Sequence, residues 1–382
     1  MGDQKQGEFG FIQGLIGRLP GVGKDVIAGA GDDAGVIKLS DDQYLLATTD
    51  ALVEGVHFVN NFFRPEDVGR KAVAVNVSDI AAMGGRPTYC LVSLVLPKGL
   101  DEDYGTRLYD GIIEECKRYD VQIIGGNVSG GKELVVDVFM LGRASADQVI
   151  LRSGARVGDK VLVTGSLGEA AAGLQLLLNP KFKMDFALVE LDTFSLHERI
   201  WDSRLRGNDR EKSGNDRKRS GDDKNRGGND KSIKVDGLIS RQLTPMPRVR
   251  EGLVIAGSGL ATSMIDISDG LGQDVGHICD SSGVGVKIYE EGLPVSGGVE
   301  EVARKLGKKS WELALSGGED YELCFTVRPE SVEKIISVIR RETGTDVGVV
   351  GEILAKEAGR IFVLKSGEMI PLPDRGWDHF GN

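Results

Sequence analysis

Four short acidic stretches stand at the edges of apolar runs. They are Gly31-Asp32-Asp33, Thr48-Thr49-Asp50 after Tyr44-Leu45-Leu46-Ala47, Asn76-Val77-Ser78-Asp79, and Asp266-Ile267-Ser268-Asp269-Gly270 after Ser263-Met264-Ile265. A carboxylate at the end of a buried strand must be paired, capped or bound to metal, because desolvating an unpaired charge is costly. Singly, each has a plain reading: Asp33 as a turn residue, Ser268 or Asp269 as the cap of a following helix. Together, with few lysines or arginines beside them, they read as a cation site. Hard oxygen ligands without His or Cys favour Mg²⁺ over zinc or iron.

Two glycine-rich segments could bring backbone amides to a phosphate. Gly125 to Gly131 reads as a turn after the strand Val121 to Ile124, and Ser316-Gly317-Gly318-Glu319-Asp320 precedes the strand Tyr321 to Val327. Gly17 to Lys24 ends in Gly-Lys like a Walker loop. Its glycine spacing is one residue too long, however, and Asp25 stands where Ser or Thr should hold magnesium, which excludes a P-loop. His57 follows the acidic Thr48 to Asp50 stretch. A lone histidine is ordinarily structural, but nearness to an acidic cluster makes this one a candidate. No Ser-His-Asp order, nucleophile elbow or Cys-His pattern supports covalent acyl chemistry.

The elements that position these residues alternate strand with helix. Tyr44 to Thr49, Tyr89 to Leu96, Val121 to Ile124, Leu134 to Leu141 and Lys160 to Thr164 read as strands. Pro65 followed by Glu66 and Asp67 suits a first helical turn, with Val68, Ala72, Val75 and Ile80 as the packing face. Further helices are predicted over Tyr104 to Tyr119, from about Gly168, over Arg248 to Ala256, Leu271 to Asp280 and Ser331 to Arg341. Strands are predicted over Thr262 to Ile267, Val284 to Ile288 and Val347 to Gly351. The alternation predicts α/β layers. Two domains follow from the length of 382 residues. We place them at 1–150 and 151–382, the seam falling near Ala144 to Gly158, where polar residues replace the apolar runs.

The stretch 203–234 differs from everything around it. It repeats every seven residues, with Gly207, Gly214, Gly221 and Gly228 in phase and no apolar seam for a coiled coil. It reads as a disordered insert in the second domain, a solvated loop rather than a basic docking arm. It carries a net charge of +5, leaving −16 on the other 350 residues, since the whole chain carries −11. So acidic a body repels nucleic acid and suits carboxylates partly neutralised by bound cations. No run of about 18 apolar residues offers a membrane span. The N-terminus carries Asp3, Lys5 and Glu8 where an export signal needs an apolar core, so the sequence predicts a cytoplasmic protein. Cys90, Cys116, Cys279 and Cys324 are far apart in sequence and read as reduced core residues.

With these pieces placed, the chain resembles the thiamine-monophosphate kinase family, in the superfamily of aminoimidazole ribonucleotide synthetase and selenophosphate synthetase. The motifs that carry the resemblance are GDDAGVI at 31–37, ATTDALVEGVHF at 47–58, KAVAVNVSDIAAMGGRP at 71–87, IIGGN at 123–127, LRSGARVGD at 151–159, IDISDGL at 265–271 and SGGEDYELCF at 316–325. The resemblance implies the two-domain PurM-like fold, with an N-terminal domain that binds ATP and Mg²⁺ and forms a shared β-barrel across a homodimer, and a C-terminal α/β domain. It implies phosphorylation of thiamine monophosphate to thiamine diphosphate, the last step of thiamine diphosphate biosynthesis, with ATP as co-substrate and several Mg²⁺ ions. Asp33, Thr48, Thr49, Asp50, Asp79, Asn127, Asp266 and Asp269 would then hold magnesium. Tyr109, Gly126, Asn127, Arg152 and Ser268 would touch ATP, and His57, Glu319 and Trp377 the thiamine phosphate. Asp50, Asp79 and Arg152 would carry the catalysis. Many relatives have Asp where this chain has Asn127, which offers a carbonyl oxygen but no charge.

The acceptor is a phosphate monoester, anionic near neutral pH, so no general base is required. The task is to bring two polyanions together, and carboxylates loaded with Mg²⁺ accomplish it, which predicts direct in-line γ-phosphoryl transfer. Two alternatives stay open from sequence: a catalytically degenerate nucleotide-binding protein, and another ATP-using member of the superfamily.

Overall fold

The structure is a computed structural model that describes residues 8–21, 23–179, 182, 229–373 and 376. After helix α1 (Glu8–Ile16) come strands β1 (Val26–Ala28), β2 (Gly35–Lys38) and β3 (Gln43–Val53), helix α2 (Pro65–Ala82), β4 (Arg86–Pro97), α3 (Glu102–Arg118), β5 (Gln122–Gly131) and β6 (Val135–Ser145). These strands form one sheet in the order β1-β2-β3-β6-β4-β5. Its neighbours run antiparallel except β4 and β5, a parallel pair bridged by α3 as such a pair requires.

The second sheet has seven strands. Its elements are β7 (Lys160–Thr164), α4 (Glu169–Leu178), α5 (Asn229–Leu243), α6 (Val249–Ser258), β8 (Ala261–Asp266), α7 (Leu271–Ser282), β9 (Gly285–Tyr289), α8 (Gly297–Leu306), α9 (Ser310–Ser316), β10 (Leu323–Val327), α10 (Val332–Thr343), β11 (Val347–Leu354), β12 (Arg360–Val363) and β13 (Met369–Pro371). The strand order is β13-β12-β9-β11-β7-β10-β8, with only β9 and β12 parallel. The result is two units of helices layered on mixed sheets, the α/β architecture the alternation predicted.

Helix α2 is the spine between the units. Pro65 opens it, where a missing N–H costs nothing, and Glu66 and Asp67 lie at the positive end of the helix dipole. The face Val68, Ala72, Val75 and Ile80 is buried as predicted, yet Lys71, Asn76 and Ser78 are buried too. One side of α2 packs on β3 and β6, the other on α6 and β8. A single apolar stripe describes a surface helix; a helix clamped between two sheets buries its polar residues as well and must pair them.

Two features differ from the sequence reading, the Gly125 to Gly131 turn and the insert. Gly125 to Gly131 is not a turn but the continuation of β5, in parallel register with β4, Val92 facing Gly126 and Ser93 facing Asn127. A Cβ on Gly126 would lie 2.0 Å from the Val92 carbonyl oxygen, so glycine there answers a close approach of two backbones. The first sheet is open, with β5 at one edge, and no closed barrel exists within the chain among the described residues. Most of the 203–234 stretch lies outside the described residues, but its last six residues, 229–234, belong to α5. The four cysteines are buried and free, as expected of reduced core residues.

Candidate active site

Strand β3 sends alternate residues to opposite faces, and this divides the Thr48-Thr49-Asp50 triplet. The Thr48 hydroxyl donates to Asp79 Oδ2 on α2 at 2.6 Å. Asn76, one turn before Asp79, accepts the Asp50 amide at 3.0 Å and donates to the Ala72 carbonyl at 3.0 Å. Thr49 points the other way, its hydroxyl donating to Asp137 Oδ1 on β6 at 2.8 Å.

The end of β8 faces the same helix from the other unit. Ser78 donates to Asp266 Oδ2 at 2.6 Å. Beyond it, the amides of Asp269 and Gly270 donate to Asp274 Oδ2 at 3.3 and 3.0 Å, so Asp274 from the first turn of α7 receives those amides rather than Ser268 or Asp269 capping that helix. Asp269 Oδ2 accepts from Gln273 at 2.9 Å. Asp269, Asp274 and His277 form a group of their own, beside the first cluster rather than in it.

Arg152, on the linker between the sheets, closes the arrangement. Its amide donates to Asp32 Oδ1 at 3.1 Å, and its guanidinium donates to Asp33 Oδ1 through Nε at 3.1 Å and Nη2 at 2.5 Å. Asp33 Oδ2 is buried with no hydrogen-bond partner among the described residues. One carboxylate oxygen from each of Asp33, Asp79 and Asp266 lies within 4.8 Å of the other two. These groups border a cavity of about 630 Å³ that also takes in Asp32, Thr48, Thr49, Asp50, Arg152 and Ser268, with Val26, Ile37 and Phe139 as apolar walls.

The electrostatics are those of a site short of positive charge. Burial and then Asp33 push Asp266 up to about 8. Burial and then Asp33 push Asp32 up to about 6. Burial, with Asp50, Asp266 and Asp33 close by, holds Asp79 well above the usual carboxylate range, and burial raises Asp33 despite Arg152. Like charges gathered this tightly cannot all ionise without a cation among them. Magnesium takes oxygens at about 2.1 Å, so opposite ligands stand about 4.2 Å apart, and three carboxylates with oxygens within 4.8 Å of one another, with an unpartnered Asp33 Oδ2 among them, fit such an ion.

A second group lies where the turn before β10 meets α2. Gly318, Glu319 and Tyr321 have φ of +66, +60 and +50°, a costly backbone for the two non-glycine residues. The turn is held by the Glu319 amide donating to the Ser268 carbonyl at 2.6 Å and the Tyr321 amide to Ile267 at 2.8 Å. Glu319 Oε1 meets Lys71 Nζ of α2 at 2.5 Å, and its other oxygen accepts from Gln242 of α5. Asp320 receives the amides of Gly168 and Ala170 at the start of α4, at 2.7 and 3.3 Å. His57 accepts the Val53 amide at Nδ1 at 3.0 Å, which leaves the ring proton of the neutral form on Nε2.

The sequence reading placed fifteen candidates, and the structure brings Asp33, Thr48, Thr49, Asp50, Asp79, Arg152, Asp266 and Ser268 to one cavity. Glu319 joins its wall through Ser268. Asn127 and Gly126 stand on the exposed β5, Tyr109 on α3 beside Cys90 and Cys116, and neither place borders the cavity. Trp377 lies outside the described residues; Gly376, immediately before it, donates to Gln273 of α7 at 2.9 Å. Lys71, Asp137, Gln242 and Asp274 were missed. Only Lys71 had a signal: it sits two helical turns before Ser78, on the same stripe of α2.

Comparison with known proteins identifies the family. The AIR synthase related protein N-terminal domain profile matches residues 31–144 and the corresponding C-terminal domain profile residues 219–364. This defines the class as a two-domain AIR synthase-related protein. Thiamine-monophosphate kinases from Aquifex aeolicus and Escherichia coli are each 34% identical to this chain, over 98% of both lengths. The solved structure of AaThiL complexed with AMPPCP and TMP superposes with a TM-score of 0.74 at 32% identity, covering 100% of this chain and 99% of that one. The chain belongs to the thiamine-monophosphate kinase family.

Proposed function

We propose that this protein transfers the γ-phosphoryl group of ATP to thiamine monophosphate, giving ADP and thiamine diphosphate. The observation that carries this reading is the oxygen triangle of Asp33, Asp79 and Asp266, together with the unpartnered Asp33 Oδ2, set in a cavity beside the half-buried Arg152. The names of the relatives and the ligands of the AaThiL complex support the substrates.

Asp33, Asp79 and Asp266 are the residues best placed to hold Mg²⁺, with Asp50 and Thr48 bordering them; Thr48 orients the Asp79 carboxylate. These carboxylates would hold Mg²⁺, and the charge neutralisation it would supply there is what two phosphate-bearing reactants need in order to approach. Thr49 is engaged with Asp137, Asp269 belongs to the neighbouring group, and Asn127 stands on β5, so these three rank below them as ligands. Arg152 is anchored by two aspartates at the cavity wall, where a guanidinium balances phosphate charge. Glu319 and His57, with Trp377, form the acceptor side. The acceptor phosphate is already anionic, so the residues orient two reactants rather than remove a proton, and the transfer is in line without a phosphoenzyme. The units 1–150 and 151–382 serve as the ATP, metal and dimerisation domain and the C-terminal domain.

The open β5 edge and the exposed Leu91, Ile124 and Val128 around it support a homodimer in which a second copy completes the barrel. Among the described residues no helix is long and apolar enough to cross a membrane. The reading is tested with ATP chiral at the γ-phosphorus. Thiamine diphosphate formed with inversion is the expected product; retention at phosphorus contradicts direct transfer, and no thiamine diphosphate contradicts the substrate.

A further inference from the structure

Lys71 is completely buried, and its ammonium group meets three things from three directions: Glu319 Oε1 at 2.5 Å, the His57 carbonyl oxygen at 3.4 Å, and the Phe63 ring at 5.3 Å from its centroid. Gln242, also buried, donates to the remaining oxygen of Glu319. Both oxygens of one carboxylate are thus fixed by donors from α2 in the first unit and α5 in the second, while the Glu319 side chain keeps 27% of its surface open. A buried ion pair is a poor source of stability, because desolvation offsets most of the attraction. What such a pair does well is fix the direction of a group, here a carboxylate on a strained turn.

We propose that Lys71 and Gln242 are positioning residues for the acceptor: Lys71 sets Glu319 and the His57 loop relative to one another, and Gln242 prevents Glu319 from rotating away. The inference rests on the thiamine monophosphate reading, in which Glu319 and His57 touch the acceptor. A carboxylate held in this way presents a fixed negative charge to the permanently cationic thiazolium ring. ATP, bound beyond Ser268 against Arg152, does not depend on it.

The test is calorimetric binding of thiamine monophosphate, with Mg²⁺ and a non-hydrolysable ATP analogue present, by the parent, Lys71→Met, Gln242→Leu, Glu319→Gln and the Lys71→Met/Glu319→Gln double variant. Lys71→Met is expected to weaken thiamine monophosphate about tenfold and Gln242→Leu severalfold, with the analogue's affinity within twofold of the parent's. Because Lys71 acts through Glu319, the double variant should bind no more weakly than Glu319→Gln alone. If Lys71→Met does not fold, Gln242→Leu carries the same comparison. Unchanged thiamine monophosphate binding, or equal weakening of both ligands, overturns the inference and leaves the kinase reading standing. A parent that binds the analogue but no thiamine monophosphate overturns both.

Discussion

The hydroxyl of Ser78 donates to Asp266 across 2.6 Å, and in doing so joins the helix under the first sheet to the last residue of a strand in the second. Thr48 does the same for Asp79 from within the first unit. The three carboxylates of the cluster therefore come together only when the units are docked on α2. The site is a property of the interface rather than of either sheet.

Ser78→Ala leaves the buried Asp266 carboxylate without this donor. The loss of one hydrogen bond to a buried carboxylate is expected to cost about 1–3 kcal/mol, read by urea denaturation in magnesium, with a rise in the KM for ATP. Unchanged stability together with an unchanged KM would show that the bond contributes nothing.

Asp79→Asn separates stability from function. It removes one of three like charges, so in EDTA the variant should melt above the parent, while thiamine diphosphate formation falls at least about 100-fold. Magnesium should then raise the melting temperature of the parent more than that of the variant. A variant that retains turnover would remove Asp79 from the metal set.

The reach of the sequence can be judged from these residues. The acidic clusters were legible because a carboxylate at the end of an apolar strand demands a partner, and β7, Lys160–Thr164, extends one residue to each side of its Val-Leu-Val run, as read. The division of Thr48 from Thr49 was legible in principle from the two-residue period of a strand. Gly125 to Gly131 misled because glycine serves a turn and a close backbone approach equally well, and only the register with Val92 distinguishes them. Lys71 was hidden for a different reason. On a helix read as having one buried face, a lysine belongs to solvent, and its place two turns before Ser78 becomes informative only once a second sheet is seen to cover that stripe.

Acidity has a definite sign in the metal-free protein. Asp266 at about 8 and Asp32 at about 6 stand above the ordinary 3.8 of the unfolded chain, so the folded state binds more protons. Stability is then greatest at the acid side of this window and falls as pH rises from about 4 through about 8. Melting in EDTA should occur at a lower temperature at pH 8.5 than at pH 6, and Mg²⁺ should restore most of the loss at pH 8.5. A higher melting temperature at pH 8.5 in EDTA would contradict the account of the cluster.

Kinase activity is read directly from a phosphorus NMR time course of the protein with ATP, Mg²⁺ and thiamine monophosphate, repeated with EDTA in place of the metal. ADP and thiamine diphosphate are expected in equal amounts, and only when magnesium is present. ADP with inorganic phosphate and no thiamine diphosphate, or turnover unaffected by EDTA, would contradict the magnesium-dependent kinase reading.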